Sequence, residues 1–289
     1  MSRLSLSAGL VLAALTLAAA LPASATTITY AQDVASAYST DFVGAGANPN
    51  TVTQPNHGTG FNPFVFQDSA GNYAGWYLQK GNAAIGTGGN LNTFGIYASS
   101  NAATTATRSF NFSPDGVTPP VAGATTPLFT GQTLSTSFQN RDIAGGGTVG
   151  FLLADSTGAP LFTFDFLGGT LNYRVADGTG QTVSSLGYTQ GGLNTSFLLT
   201  GANAYTFTAT RLSDNSAYSH TGTFTGAIDR IVYFSKGSSD NGDVNFSALS
   251  ITGPASAAPE PSQLAGLAFT GLGAFGLVLK ARKRRSVQA

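Results

Sequence analysis

Several residue types that often carry chemistry are scarce in this chain of 289 residues. It has no cysteine, which excludes disulfides, thiol nucleophiles and cysteine-ligated metal centres. The two histidines, His57 and His220, lie far apart in the sequence, and no Gly-x-Ser-x-Gly motif accompanies them. The sequence therefore does not favour a serine hydrolase triad or a histidine zinc site.

Charged side chains are also scarce, at 9% of all residues. Between residues 26 and 258, seven basic residues stand against twelve aspartates, so this part of the chain has a net charge of about −5. Nucleic-acid binding needs clustered lysine and arginine. The composition therefore excludes a nucleic acid as the partner.

The first 25 residues have the composition of a cleaved signal peptide. Arg3 supplies a positive start, residues 8–21 are apolar, and Ala23 and Ala25 give the small side chains of a cleavage site. We predict export and cleavage after Ala25 by a signal peptidase. The alternative is an uncleaved anchor helix, for which this apolar stretch is short.

The last 31 residues contain a short motif, an apolar stretch and a basic cluster, in that order. The motif is Pro259, Glu260 and Pro261, and Glu260 is the only glutamate of the chain. The uncharged run at residues 264–279 predicts a short transmembrane helix at about residues 262–280. The basic cluster that follows is expected to stop transfer on the cytoplasmic side, and its members are Arg282, Lys283, Arg284 and Arg285.

In this order, the motif, the glycine-rich apolar run and the basic cluster resemble the PEP-CTERM sorting tail. The resemblance covers about a tenth of the chain, at residues 259–289. It implies an exported bacterial protein with a transient inner-membrane stage, processed there by an exosortase-like enzyme. It also implies a cell that makes extracellular polysaccharide, and a final location in the cell envelope, on the cell surface or outside the cell. Residues 253–258 are small and are expected to form a linker that gives the processing enzyme access to the motif.

Between these terminal segments, the spacing of apolar residues predicts short β-strands. In residues 161–166, three phenylalanines alternate with other residues and so share one face of a strand. Glycine-containing turns connect this strand to residues 170–175 and 181–186, as in a hairpin meander. About a dozen such segments predict an all-β fold, an antiparallel two-sheet sandwich over residues 26–252.

The segments at residues 228–234 and 243–251 are similar to the closing strands of concanavalin-like jelly rolls. This loose resemblance implies a jelly-roll sandwich, flanked by the signal helix and the sorting helix. An immunoglobulin-like sandwich and a β-solenoid are the alternatives, although no fixed repeat period is present. Residues 45–60 and 113–127 are rich in Pro, Gly or Asn and are expected to be surface loops.

Laminarinase-like members of the concanavalin-like fold carry their catalytic carboxylates in a Glu-x-Asp-x-x-Glu motif. Residues 26–258 contain no glutamate, so this motif is absent. Glycosidases need two carboxyl groups that flank the sugar, whereas Asp165 and Asp177 are expected to be single, solvated residues beside hairpins. We therefore predict that the chain is not an enzyme and has no catalytic residues.

One candidate binding group is aromatic. Tyr73, Trp76 and Tyr77 lie in one predicted strand, and exposed aromatic rings could stack on the face of a sugar. Trp76 is the only tryptophan, and the alternative for it is a place in the core, where it would bury a large apolar area.

A second candidate group could bind calcium. Asp240, Asp243 and Asn245 surround a glycine turn and offer the oxygen ligands that calcium prefers. The alternative is an Asx-rich β-turn without a metal, and no other cofactor is expected.

Together these features predict an exported protein of the cell surface or the extracellular matrix, with a structural or adhesive role. The alternative function is a lectin-like module that binds extracellular polysaccharide, with or without calcium.

Overall fold

The computed structural model describes residues 26–38, 51–69, 74–79, 85, 92–116, 118–143, 145–237 and 242–255. The predicted signal peptide, sorting motif, transmembrane helix and basic stop lie outside these residues. Within the described ranges, no helix is long and apolar enough to cross a membrane.

The described residues contain sixteen strands and one 3-10 turn at Ala35–Ala37. In chain order the strands are β1 (Thr27–Asp33), β2 (Thr51–Thr53), β3 (Val65–Asp68), β4 (Ala74–Gln79), β5 (Thr93–Ala98), β6 (Ala103–Ser109), β7 (Thr133–Ile143), β8 (Thr148–Ala154), β9 (Pro160–Leu167), β10 (Asn172–Asp177), β11 (Gly180–Gly187), β12 (Leu193–Leu199), β13 (Ala204–Arg211), β14 (Ala217–Thr223), β15 (Arg230–Lys236) and β16 (Gly242–Pro254).

The strands form two antiparallel sheets of eight strands each. Sheet A has the order β14-β13-β12-β7-β16-β5-β4, and β1 also pairs with β16. Sheet B has the order β11-β10-β9-β8-β15-β6-β3-β2. The prediction of an all-β, two-sheet antiparallel sandwich is confirmed, and its architecture is jelly-roll-like. Antiparallel neighbours exclude the solenoid alternative, and sixteen strands exceed the seven to nine of an immunoglobulin domain.

The predicted meander is also confirmed, because β9 pairs with β10 and β10 pairs with β11. Four strands were not predicted, namely β1, β2, β3 and β12. The strand Thr51–Thr53 corrects the prediction that residues 45–60 form only a loop, since it pairs with β3. The last strand continues to Pro254, two residues past the predicted end of the sandwich.

Aromatic side chains fill the space between the two sheets. Phe151 of sheet B contacts Phe138 and Phe207 of sheet A, with ring centroids 6.0 and 6.3 Å away. The three phenylalanines of residues 161–166 are buried, as their alternation predicted. Full burial of one such side chain contributes about 1.5–3 kcal/mol. The aromatic core thus supplies the cohesion that disulfides give many exported domains.

An ion pair is buried inside this core. Arg108 of β6 donates to Asp33 of β1 at 2.5 Å, and both side chains are fully buried. Tyr38 also donates to Asp33, at 3.1 Å, and the Arg108 guanidinium lies 4.5 Å from the centre of the Phe64 ring. The pair therefore ties the N-terminal strand of sheet A to sheet B.

Candidate functional site: the outer face of sheet A

The outer face of sheet A brings together several of the residues singled out in the sequence. Successive side chains of a strand point to opposite sides of the sheet. Val244 and Phe246 of β16 point into the core, so Asp243 and Asn245 belong to the outer face. Tyr77 lies on the same face, because its partner on β5 is the residue that pairs with Asn245.

Trp76 does not lie on this face, and its assignment as a carbohydrate contact is corrected. It is 2% exposed and stacks on Phe66 of sheet B at a centroid distance of 5.4 Å. Its alternation with Tyr77 places it between the sheets, where no sugar can reach the indole ring. Tyr73 lies outside the described residues.

Tyr77 rests on a glycine. An added Cβ atom at Gly95 would lie 2.2 Å from the Tyr77 ring, so only glycine lets the ring lie flat against the strand. The Tyr77 hydroxyl donates to Oδ1 of Asn245 at 3.1 Å. The ring of Tyr97 lies 6.3 Å away, which gives this end of the face a pair of aromatic side chains.

Burial and the neighbouring charges together determine whether the Tyr77 hydroxyl is protonated. Burial, with a smaller contribution from nearby Asp243, raises the pKa of the Tyr77 hydroxyl to about 12, and Arg141 opposes the shift. Tyr77 therefore keeps its proton at physiological pH and acts as a hydrogen-bond donor rather than as a base.

The predicted calcium group is only partly assembled here. Asn245 is fully buried, and its Oδ1 atom already accepts the hydrogen bond from Tyr77. Asp240 lies outside the described residues. No cluster of three or more His, Cys, Asp or Glu side chains that could hold a metal occurs in the part of the chain that the structure describes.

A groove continues the outer face across β7, β12 and β13. Its volume is about 410 Å³, within the range of small-ligand sites. It is lined by neutral polar side chains, and we name these residues the hydroxyl groove: Ser135, Ser137, Asn194, Ser196, Thr208 and Thr210.

Strand register arranges the hydroxyl groove in two rows. One row joins Ser137, Asn194 and Thr210 on three neighbouring strands. The next row joins Ser135, Ser196 and Thr208 in the same way.

The groove is accessible and partly pre-arranged. Asn194 is exposed, and Ser196 and Thr208 are half-buried. The hydroxyl of Ser137 donates to Oδ1 of Asn194 at 2.9 Å. Ala248, at a bulge of β16, adopts a left-handed φ of 53° and also lines the groove.

The sequence contained part of the signal for this groove. In β13 the threonines alternate with buried Tyr205, Phe207 and Ala209, and this alternation in the sequence indicates that they share the opposite face. The strand β12 was not predicted, so the contribution of Asn194 and Ser196 could not be anticipated.

Two further titratable residues, Asp177 and His220, lie at another edge of the sandwich. Asp177 lies at the end of β10, and its Oδ2 atom accepts a hydrogen bond from the Tyr205 hydroxyl at 2.5 Å. Nε2 of His220 lies 3.5 Å from the same oxygen. The Asp177 side chain is fully buried and that of His220 is 17% exposed. The expectation that Asp177 is a solvated residue is wrong, because its side chain is buried between β10 of sheet B and β13 and β14 of sheet A.

No family model matches the chain, and no curated protein matches it. Solved structures with a similar arrangement include the alginate lyase from Corynebacterium sp., at a TM-score of 0.44 and 12% identity, covering 61% of this chain and 80% of that chain. Another is alginate lyase A1-II', of polysaccharide lyase family 7, at 0.37 and 14%, covering 62% and 94%. The CBM2 module of the evolved Dit of Lactobacillus casei BL23 phage J-1 is similar at 0.36 and 14%, covering 55% and 71%.

The similarity to these structures concerns the fold alone. The prediction that the chain is not an enzyme is corrected, since structures with a similar arrangement include alginate lyases, and no activity of this chain follows from them. The lack of glutamate in residues 26–258 and of a histidine triad therefore does not exclude enzymatic activity.

Proposed function

We propose that this chain is an exported polysaccharide-binding module that holds a glycan on the outer face of sheet A, and that its adhesive role follows from this binding. The hydroxyl groove is the observation that carries the proposal. Each Ser or Thr hydroxyl both donates and accepts hydrogen bonds, which matches the hydroxyl groups of a sugar chain. Tyr77 and Tyr97 add ring faces at one end of the same face.

The terminal segments supply the route to the polysaccharide. We propose that the signal peptide directs export and that an exosortase-like enzyme processes the chain at Pro259, Glu260 and Pro261, after a stage at the inner membrane. The pairing of β1 with β16 supports this arrangement, since the amide of Ala255 donates to the carbonyl of Thr26 at 2.8 Å. Thr26 and Ala255, the described residues nearest in sequence to the two processing sites, therefore lie side by side in sheet A. Mass spectrometry of the mature protein tests the route, and an intact C-terminus at Ala289 would contradict it.

The binding proposal is tested with the full-length chain, exported from a bacterial host and purified. We expect it to bind at least one polysaccharide on a glycan array. The double variant Ser196→Ala/Thr208→Val removes two hydroxyls from the groove, each worth about 1 kcal/mol, so affinity is expected to fall more than tenfold.

Thr107→Val is the matched control for this variant. Thr107 is half-buried on the outer face of sheet B, where it pairs with Val232 and Val65. The variant Thr107→Val should leave glycan binding unchanged. Binding to no glycan, or equal losses in the groove variant and the control, would contradict the proposal. Measuring reducing ends in the same samples shows whether the bound polysaccharide is also cleaved. Repeating the binding measurement with a calcium chelator shows whether binding needs calcium.

A further inference from the structure

We infer that the hydroxyl groove selects neutral glycans and rejects polyanionic ones, such as polymers of uronic acids. This inference rests on the proposed binding function and names the class of glycan that the same groove takes. It follows from the charges that surround the groove rather than from its shape.

No charged side chain lines the groove among the described residues. Among the described residues, the charges on the same face that act on Tyr77 are those of Asp243 in β16 and Arg141 in β7. They have opposite signs, so together they supply no net positive charge to the face.

The other described arginines are already occupied by aspartates. Arg108 is buried against Asp33. The remaining pairs are Arg174 with Asp165 at 2.6 Å, Arg211 with Asp214 at 3.7 Å, and Arg230 with Asp229 at 2.9 Å. Lys236 ends β15 and therefore belongs to sheet B, away from the groove.

A carboxylate in this groove would lose part of its hydration without gaining a cation. Burying a charge without a partner is far more costly than burying a hydroxyl that finds a hydrogen bond. The net charge of about −5 on residues 26–258 adds a repulsion that reaches about 10 Å in 0.1 M salt. A neutral sugar exchanges its hydrogen bonds to water for bonds to serine and threonine and meets neither cost.

The test compares each neutral glycan that the full-length chain binds with the same polymer oxidised at C6 to the uronic acid. The backbone and its linkage stay the same, and only the carboxylate is new. We expect oxidation to weaken binding at least tenfold. We also expect the affinity for the neutral form to change little between low and high salt.

Ser196→Lys places a cation inside the groove and should restore binding of the oxidised polymer. Thr107→Lys adds the same charge on sheet B and serves as the matched control, with no such restoration expected. Equal or tighter binding of the oxidised polymer by the unmodified chain would overturn the inference while leaving the binding function intact. Binding of neither form would overturn both.

Discussion

At the scale of single residues, Gly95 and Tyr77 form the clearest unit of the candidate site. The ring occupies the space that a side chain at Gly95 would need, and the Tyr77 hydroxyl reaches Asn245 across the same surface. A glycine in the middle of a strand normally weakens it. Here the glycine gives an aromatic ring a fixed position on the outer face.

The variant Gly95→Ala should therefore displace Tyr77 and weaken glycan binding about fivefold, through loss of about 1 kcal/mol of ring contact. Tyr77→Ala should have a similar effect, and the double variant should be no worse than either one, because both act on the same ring. Binding isotherms of the three variants check this. Gly145→Ala is the control, since nothing lies within 4 Å of a Cβ atom there, and additive losses in the double variant would contradict the coupling.

Arg108 shows a residue-scale feature that the sequence did not reveal. It shares the inward face of β6 with Thr104 and Ala106, so the two-residue period of the strand carries a charge into the core. Breaking a buried ion pair by removing one partner costs about 3–5 kcal/mol, because the other charge remains unpaired.

We expect Arg108→Met to lower the free energy of unfolding by about that amount, measured by urea denaturation. The double variant Arg108→Met/Asp33→Asn should recover a large part of the loss, since no buried charge remains. A double variant less stable than Arg108→Met would show that the ion pair itself, rather than the unpaired charge, governs this site.

At the scale of strands, the sequence predicted those with a clean alternation and missed those without one. In the sequence of β9, β10 and β13, apolar side chains alternate with more polar ones, and these apolar side chains are buried in the fold. By contrast, β12 combines Asn194, Thr195 and Ser196 in a row, and β2 has three residues inside a stretch rich in Pro and Gly. The groove depends on β12, so its full form could not be predicted from local pattern alone.

The edge formed by β10, β13 and β14 depends on one carboxylate and one glycine. An added Cβ atom at Gly222 would lie 2.0 Å from Asp177, so β14 can approach only because this position has no side chain. Burial raises the pKa of the Asp177 carboxyl, but hydrogen bonds from Thr179 and Tyr205 outweigh it, and the pKa lies below its ordinary value of 3.8.

A folded-state pKa below the unfolded one stabilises the fold above pH 3.8, and this contribution is lost as the pH falls through the lower, folded value. Asp177→Asn should therefore be less stable than the natural chain near neutral pH and should lose less of its stability on acidification through this window. Urea midpoints at several pH values check this. Tyr205→Phe removes one of the hydrogen bonds and should give an intermediate slope, whereas an unchanged slope in both variants would contradict the assignment.

At the scale of the whole molecule, one cluster of buried aromatic and aliphatic side chains joins the two sheets among the described residues. We expect the proposed sorting tail, residues 259–289, to direct the protein without contributing to its stability.

Deletion of residues 264–289 should release the chain in soluble form with an unchanged urea midpoint. The full-length chain should instead fractionate with the membrane before processing. Fractionation of cells and urea denaturation of the released protein check both statements. Aggregation of the deletion variant would show that the tail takes part in folding.

The position of β16 has a mechanical consequence. This strand of 13 residues pairs with β7 on one side, and with β5 and then β1 on the other. A force that pulls on the C-terminal end of the domain acts along β16 and therefore shears the strand against its neighbours. Many backbone hydrogen bonds must then break at once, rather than one after another. A domain tethered at this end would resist tension between the cell and its surroundings.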